Sequence, residues 1–211
     1  MPDPLDPKDG AASAATARER VRPVRLGTSG ASLRQLDGGQ FLVQSDEPLG
    51  RYPKVLTDRL VHWAKVAPQR TFAAQRGPDG DWRTLSYSKT LNAVRSLGQA
   101  FLLRGLDAER PIAVLSENDL EHLLVMLAAQ HVGIPSAHIS PLYSLVSRDF
   151  SQLRHVLNLL TPGLVFVANG ERYQSAIEGC IDPAAEVVVV TAPLPWRSTT
   201  PFAEMAGYAR E

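Results

Sequence analysis

The sequence predicts an α/β fold: a partial layered domain with a mainly parallel sheet flanked by helices, preceded by a short β-hairpin segment. Three features lead there. From Pro111 onward four short runs, "IAVLS", "IPSAHIS", "GLVFVA" and "EVVVVTA", alternate with single helical stretches, the rhythm of right-handed crossover units building a parallel sheet. "IAVLS" is almost wholly apolar, as a strand must be when helices cover both of its faces. Ahead of these runs, "LDGGQFLV" places Asp37, Gly38 and Gly39 between two extended segments, a composition suited to a tight turn.

With 211 residues the chain is long enough for one sizeable domain, and a domain of that size buries roughly 70% of its unfolded surface. Acidic and basic side chains balance at 22 each, so no global field draws the protein to nucleic acid or to an anionic membrane. Cys180 is the sole cysteine, which excludes an intrachain disulfide framework and a cysteine-rich zinc site. A cytoplasmic setting fits that usage. The N-terminus shows no apolar stretch behind a basic end, and no later apolar run nears the ~18 residues of a membrane span.

Taken in order, residues 1–20 are rich in Ala, Pro, Asp and Ser and are expected to form a disordered tail, lacking the apolar residues that offset the entropy of ordering. Residues 21–48 read as an N-terminal β segment, and residues 49–211 as an α/β subdomain incomplete at its C-terminus. In "KVLTDRLVHWAKVAP", Leu56, Leu60, Trp63 and Ala67 share a helical face and Pro68 ends it. Two short strands follow around Pro78, Asp79 and Gly80, then a helix with Tyr87, Leu91, Val94, Gly98 and Phe101 on one stripe, closed by Gly105. Beyond strand "IAVLS", a helix from Asp119 to His131 is expected, capped by Asn118 with Glu121 answering in a capping box, and ended by Gly133. Further helices are expected over Ser147 to Leu160, with Phe150 and Leu153 inward, and over Glu171 to Gly179. "AEMAGYARE" reads as the start of another helix, unfinished at Glu211.

Several segments invite a functional reading. "LGTSGAS", Leu26 to Ser32, has the composition of a phosphate-cradling loop, but it lacks the lysine and precedes a hairpin instead of a helix. A small-residue bend explains it better. No Gly-x-Gly-x-x-Gly follows a strand, so the close backbone approach of a dinucleotide site is missing. His122 and His131 share a helix, but nine steps of about 100° set them on opposite faces, unable to clasp one metal. Asp119 and Glu121 belong to a helix start, where carboxylates favour the dipole. Trp63, Trp82 and Trp196 are scattered and form no stacking platform. No catalytic and no metal-ligating residue is assigned.

In open α/β sheets, ligands gather beyond the carboxyl ends of the strands. His138 is expected in a central strand, followed by a loop containing Ser140, Tyr143 and Ser144, the best-placed ligand contact in the chain, although a proline-shaped connector with Tyr143 packed on the sheet reads equally well. "NGERYQ" is a second such place, where Arg172 could meet a phosphate.

"LGRYPKVLTDRLVHWAKVAPQRTFAAQR", "WRTLSY", "RPIAVLSENDLEHLLVMLAAQHVGIPSAHISPLYSL" and "LRHVLNLLTPGLVFVANG" together resemble the N-terminal portion of adenylate-forming acyl-CoA synthetases. Within them, "YPKVLTDRL", "ENDLEHLL", "SPLYSL" and "LTPGLVF" resemble the feruloyl-CoA synthetase branch, although His138 departs from the apolar residue expected before "SPLYS". The resemblance implies that residues 49–211 are the first α/β subdomain of an AMP-binding large domain. It further implies a carboxylic acid, ATP, Mg²⁺ and coenzyme A as reactants of the full-length enzyme, none bound tightly by this piece. The nucleotide-binding and catalytic residues would lie in the remainder of the ligase chain, leaving the 211-residue piece inactive. Ser140, Tyr143, Ser144 and Arg172 are then expected on the coenzyme A side. A non-catalytic α/β module that binds a ligand or partner, and a ligase for a fatty or benzoic acid, are the alternatives.

Overall fold

The structure, a computed structural model, describes residues 30–207; the expected tail, most of "LGTSGAS" and the last four residues lie outside them. It divides into two compact units, Met1–Tyr52 and Pro53–Glu211. In the first, β1 (Ala31–Gln35) pairs antiparallel with β2 (Phe41–Ser45). The turn holds Gly38 and Gly39 at φ of 78°, a conformation that glycine adopts without a Cβ clash. This is the expected hairpin.

The second unit opens with α1 (Asp58–Val66), then a hairpin of β3 (Thr71–Arg76) and β4 (Trp82–Ser86), then α2 (Tyr87–Leu103). The Ser86 hydroxyl caps α2 by accepting from the Lys89 amide at 3.3 Å. Five strands then form one parallel sheet in the order β6-β5-β7-β8-β9: β5 (Ile112–Leu115), β6 (Ser136–His138), β7 (Leu164–Asn169), β8 (Glu186–Thr191) and β9 (Thr200–Pro201). The intervening helices are α3 (Leu120–Val132), α4 (Pro141–Leu145), α5 (Ser151–Leu160) and α6 (Gln174–Cys180), and α7 (Phe202–Ala206) follows β9.

Strand alternation sorts the apolar residues into two cores. Ile112, Val114, Leu164, Phe166 and Val188 join α2, α3 and α7 in one, with Leu97, Phe101 and Leu124 fully buried. Ala113, Leu115, Val165, Val167, Val187 and Val189 join α5 and α6 in the other. Both faces are therefore covered, which is why these strands lack polar alternation. Among the described residues no helix is long and apolar enough to cross a membrane.

Four expectations need correction. His138 ends an edge strand, because the chain returns across β5 after β6 and sets β7 on the other side. The cap of α3 is Asp119, whose Oδ1 accepts from the His122 amide at 2.6 Å. Glu121 instead receives Arg83 of β4 at 2.6 Å. The helix expected over Ser147–Leu160 is shorter and separate from α4, since Phe150 adopts φ of 53° while Ser147 and Asp149 accept the amides of Phe150 and Ser151. Finally, α7 stops at Ala206, where Gly207 takes φ of 63° and a left-handed C-cap.

Candidate functional site

The crossovers diverge at β5 and β7. From β5 the chain passes through α3 to β6, and from β7 through α6 to β8, with the two helices on opposite faces. Where neighbouring strands send their connections apart, a crevice opens beyond their carboxyl ends. The segments at this crevice are Ser116–Asp119 after β5 and Gly170–Tyr173 after β7; Ile139 and Ser140 follow the neighbouring β6.

Each is locally determined. Ser116 is buried and its hydroxyl lies 2.6 Å from Asp119 Oδ2, so Asp119 caps α3 with one oxygen and holds the β5 turn with the other. Asn169 Oδ1 accepts the Arg172 amide at 2.9 Å, the side-chain turn that Asn favours. Gly170 presses on the next strand end, where an added Cβ would strike the carbonyl oxygen of Ala192. Its amide donates to Thr191 at 3.0 Å.

Arg172 spans the crevice. Its guanidinium donates to both carboxylate oxygens of Glu117, one at 3.2 Å and the other closer. Sequence reasoning aimed this arginine at a phosphate, whereas the fold supplies an internal carboxylate. Beneath it, Tyr173 is 2% exposed and its hydroxyl has no partner among the described residues. Burial, and then the charge of Glu117, push that phenol up to about 12.

An open cleft of about 380 Å³ lies beside the crevice, lined by Ser116, Glu117, Asn118, His122, His138, Ile139, Ser140 and Pro141. Ser140 faces it. Tyr143 instead packs against the second core, and Ser144 is buried, its hydroxyl without a partner among the described residues. Of the four expected contacts, Ser140 therefore lines the cleft, Arg172 reaches it through Glu117, and Tyr143 and Ser144 do not line it. Sequence reasoning missed Glu117 and the pairing of His122 with His138, whose Nε2 and Nδ1 stand 2.5 Å apart. Burial, and then His122, hold His138 below the usual imidazole value. His131 lies away from this pair, bonded to Thr57 at 2.9 Å. The signal for the pair was the adjacency of β5 and β6, which brings the first turn of α3 to the end of β6.

A larger cavity of about 700 Å³ opens at the amino ends of β7 and β8, lined by residues including Arg104, Arg110, Gly163, Cys180 and Glu186. Arg104 there is bound to Glu186 at 2.9 Å. The carboxyl-end cleft is the better candidate, because strand-end loops carry the polar groups of such sheets.

Residues 60–211 match the family described as AMP-binding enzyme. The chain belongs to that family. No curated protein matches it in sequence. Among solved structures, it is similar to a protein from Rhodopseudomonas palustris described as a long-chain-fatty-acid CoA ligase, with a TM-score of 0.57 and 19% identity over 72% of this chain and 36% of that one. It is also similar to an anthranilate CoA ligase in complex with anthranoyl-AMP, with a TM-score of 0.56 and 16% identity over 74% and 28% of the two chains. A third is a fatty acyl-adenylate ligase from Legionella pneumophila in complex with acyl adenylate and pyrophosphate, with a TM-score of 0.52 and 13% identity over 66% and 23%. The chain of this AMP-binding family member spans only about a quarter to a third of those proteins.

The AMP-binding family implies a nucleotide and its Mg²⁺, and the described residues do not fit them. The carboxyl-end segments 116–119, 139–140, 170–173 and 192–199 contain no lysine, and of their two arginines Arg172 is paired with Glu117 while Arg197 donates to the carbonyl oxygens of Ile181, Asp182 and Ala185. Among the described residues no group of three or more His, Cys, Asp or Glu converges on one point.

Proposed function

We propose that this chain is the N-terminal part of an ATP-dependent acid–thiol ligase that converts a hydroxycinnamate such as ferulate to its coenzyme A thioester through an acyl-adenylate. The observation that carries the reading is the family match over residues 60–211. Acyl-adenylates bound to two of the structural neighbours support adenylation as the reaction class. The hydroxycinnamate rests on "YPKVLTDRL", "ENDLEHLL", "SPLYSL" and "LTPGLVF", since the neighbours are described with fatty acids and with anthranilate.

In this reading the carboxylate attacks the α-phosphate of ATP, pyrophosphate leaves, and the thiol of coenzyme A then displaces AMP. ATP, Mg²⁺ and coenzyme A serve the longer enzyme in the cytoplasm. Ser140, Tyr143, Ser144 and Arg172 belong to its coenzyme A side, directly or by holding the strand ends in place. The groups that stabilise the adenylyl group in transfer lie in the remainder of the ligase chain.

The test is thioester formation from ferulate, ATP and coenzyme A, by the 211-residue chain and by the product of the reading frame extended past Glu211. Activity of the extended product alone is expected. Turnover of a fatty or benzoic acid in preference to ferulate would overturn the substrate. A stop codon directly after Glu211 in an expressed transcript would overturn the ligase itself and favour a non-catalytic binding module.

A further inference from the structure

The geometry points to a divalent transition-metal site formed by His122 and His138, a pair of imidazoles at the carboxyl-end cleft that takes Zn²⁺ or a neighbouring first-row cation. The placement comes from topology. His122 lies in the first turn of α3 and His138 is the last residue of β6, and α3 is the crossover that joins β5 to β6.

The ring geometry is specific. The two planes are parallel within 5°, with centroids 4.7 Å apart, and Nε2 of His122 stands 2.5 Å from Nδ1 of His138. Rings stacked face to face would keep their atoms about 3.5 Å apart or more. So short a separation between parallel rings therefore sets them edge to edge, in nearly one plane, with the two inner nitrogens aimed at each other.

The outer nitrogens decide what the inner ones carry. His122 Nδ1 lies 2.9 Å from the carbonyl oxygen of Glu117, which only accepts, so that nitrogen holds a proton and Nε2 presents a lone pair. His138 Nε2 lies 3.1 Å from the Ser136 hydroxyl, which works in either sense. When Ser136 donates, His138 Nδ1 keeps its proton and donates to His122, completing a neutral chain. When Ser136 accepts, the proton sits on His138 Nε2, and two lone pairs face each other, a repulsion that a cation held between parted rings removes.

This second arrangement is how proteins prepare imidazoles for metal. Each ligating ring donates its remote N–H to a carbonyl or a polar side chain, which fixes its tautomer and orientation. Zn–N bonds of about 2.0–2.1 Å at a tetrahedral angle need nitrogens about 3.3 Å apart with converging lone pairs, so the rings must part by about 0.8 Å and turn out of their head-on alignment. His138 is exposed and ends an edge strand, which leaves it free to do so. The open cleft supplies water for the remaining positions. Imidazole selects Zn²⁺, Ni²⁺ and Cu²⁺ over the oxygen-seeking Mg²⁺, so the site is distinct from any Mg²⁺ carried by ATP. Two protein ligands make it an exchangeable site instead of a closed structural one.

The experiment is a calorimetric titration of the 211-residue chain with Zn²⁺ alone, paired with Co²⁺ as a paramagnetic probe of ring protons. One Zn²⁺ per chain is expected, undiminished by Mg²⁺, lost in His122→Ala and in His138→Ala, and kept in His155→Ala. Ser136→Ala should weaken uptake by about tenfold, as loss of an outer-shell partner does. Should a variant fail to fold, Co²⁺ added to the unaltered chain still reports the site by shifting the ring protons of two histidines together. Absence of saturable Zn²⁺ uptake, or uptake that survives removal of both histidines, would overturn the site and leave the pair sharing a proton only.

Discussion

Arg172 donates to both carboxylate oxygens of Glu117, joining the end of β7 to the end of β5 where the crossovers of the sheet diverge. Both side chains are more than half exposed, so water screens the attraction and little net stability follows from it. The pair sets the geometry of the crevice floor more than the strength of the fold. Replacing Arg172 with Ala is expected to change unfolding free energy by less than about 1 kcal/mol in urea titrations. A loss of several times that amount would show that the crevice is closed to solvent.

The cap of α3 discriminates between neighbouring residues. Asp119 accepts the His122 amide and the Ser116 hydroxyl, whereas Asn118 is exposed and caps nothing. Asp119→Ala should cost about 1 kcal/mol, with Asn118→Ala staying within about 0.5 kcal/mol. Thermal melts of the two variants side by side would check this, and equal losses would contradict the assignment.

Those adjacent residues also show what the sequence made legible. The parallel sheet, its covered faces and the Gly133 stop were readable because apolar runs and glycine act locally: "IAVL" is buried throughout and Gly133 sits at φ of 76°. The choice of Asp119 over Asn118 was not readable, since both can cap and only the exit angle of β5 selects one. Strand order was equally hidden. Nothing in the local pattern of "IPSAHIS" says that β7 returns past β5, so the edge position of His138 emerges only from tertiary pairing. Arg172 was recognised as a charged group at a strand end, but its partner Glu117 lies far away in sequence and no spacing rule connects them.

Tyr173 carries a buried hydroxyl without a partner among the described residues, and an unsatisfied polar group in a core costs free energy that its removal restores. Tyr173→Phe keeps the ring in the second core and is expected to stabilise the fold by about 1 kcal/mol. In the unaltered protein burial, and then the charge of Glu117, push this phenol up to about 12, above the value of about 10 for an unfolded tyrosine. The folded state thus holds its proton longer, and the stability it contributes is full below about pH 10 and lost as pH rises through the folded value. Ultraviolet titration should show a phenol ionising well above about pH 10, with that step missing in the Phe variant.

Glu186 governs the opposite end of the pH range. Burial raises its pKa, but hydrogen bonds from Arg104 at 2.9 Å and Thr200 at 2.8 Å, together with the Arg104 charge, outweigh burial and leave it below the usual carboxylate value. A lowered folded pKa means that the unfolded chain takes up the proton first as acid is added. The resulting stability is present above the unfolded value of about 4.3 and lost as pH falls through the folded one. Glu186 opens β8 while Arg104 ends α2 and Thr200 opens β9, so protonation loosens three elements of the sheet's amino end together. Glu186→Gln should lower stability at neutral pH and flatten its fall in acid, read as urea midpoints across that range. A variant as acid-sensitive as the parent would assign the acid response to other carboxylates.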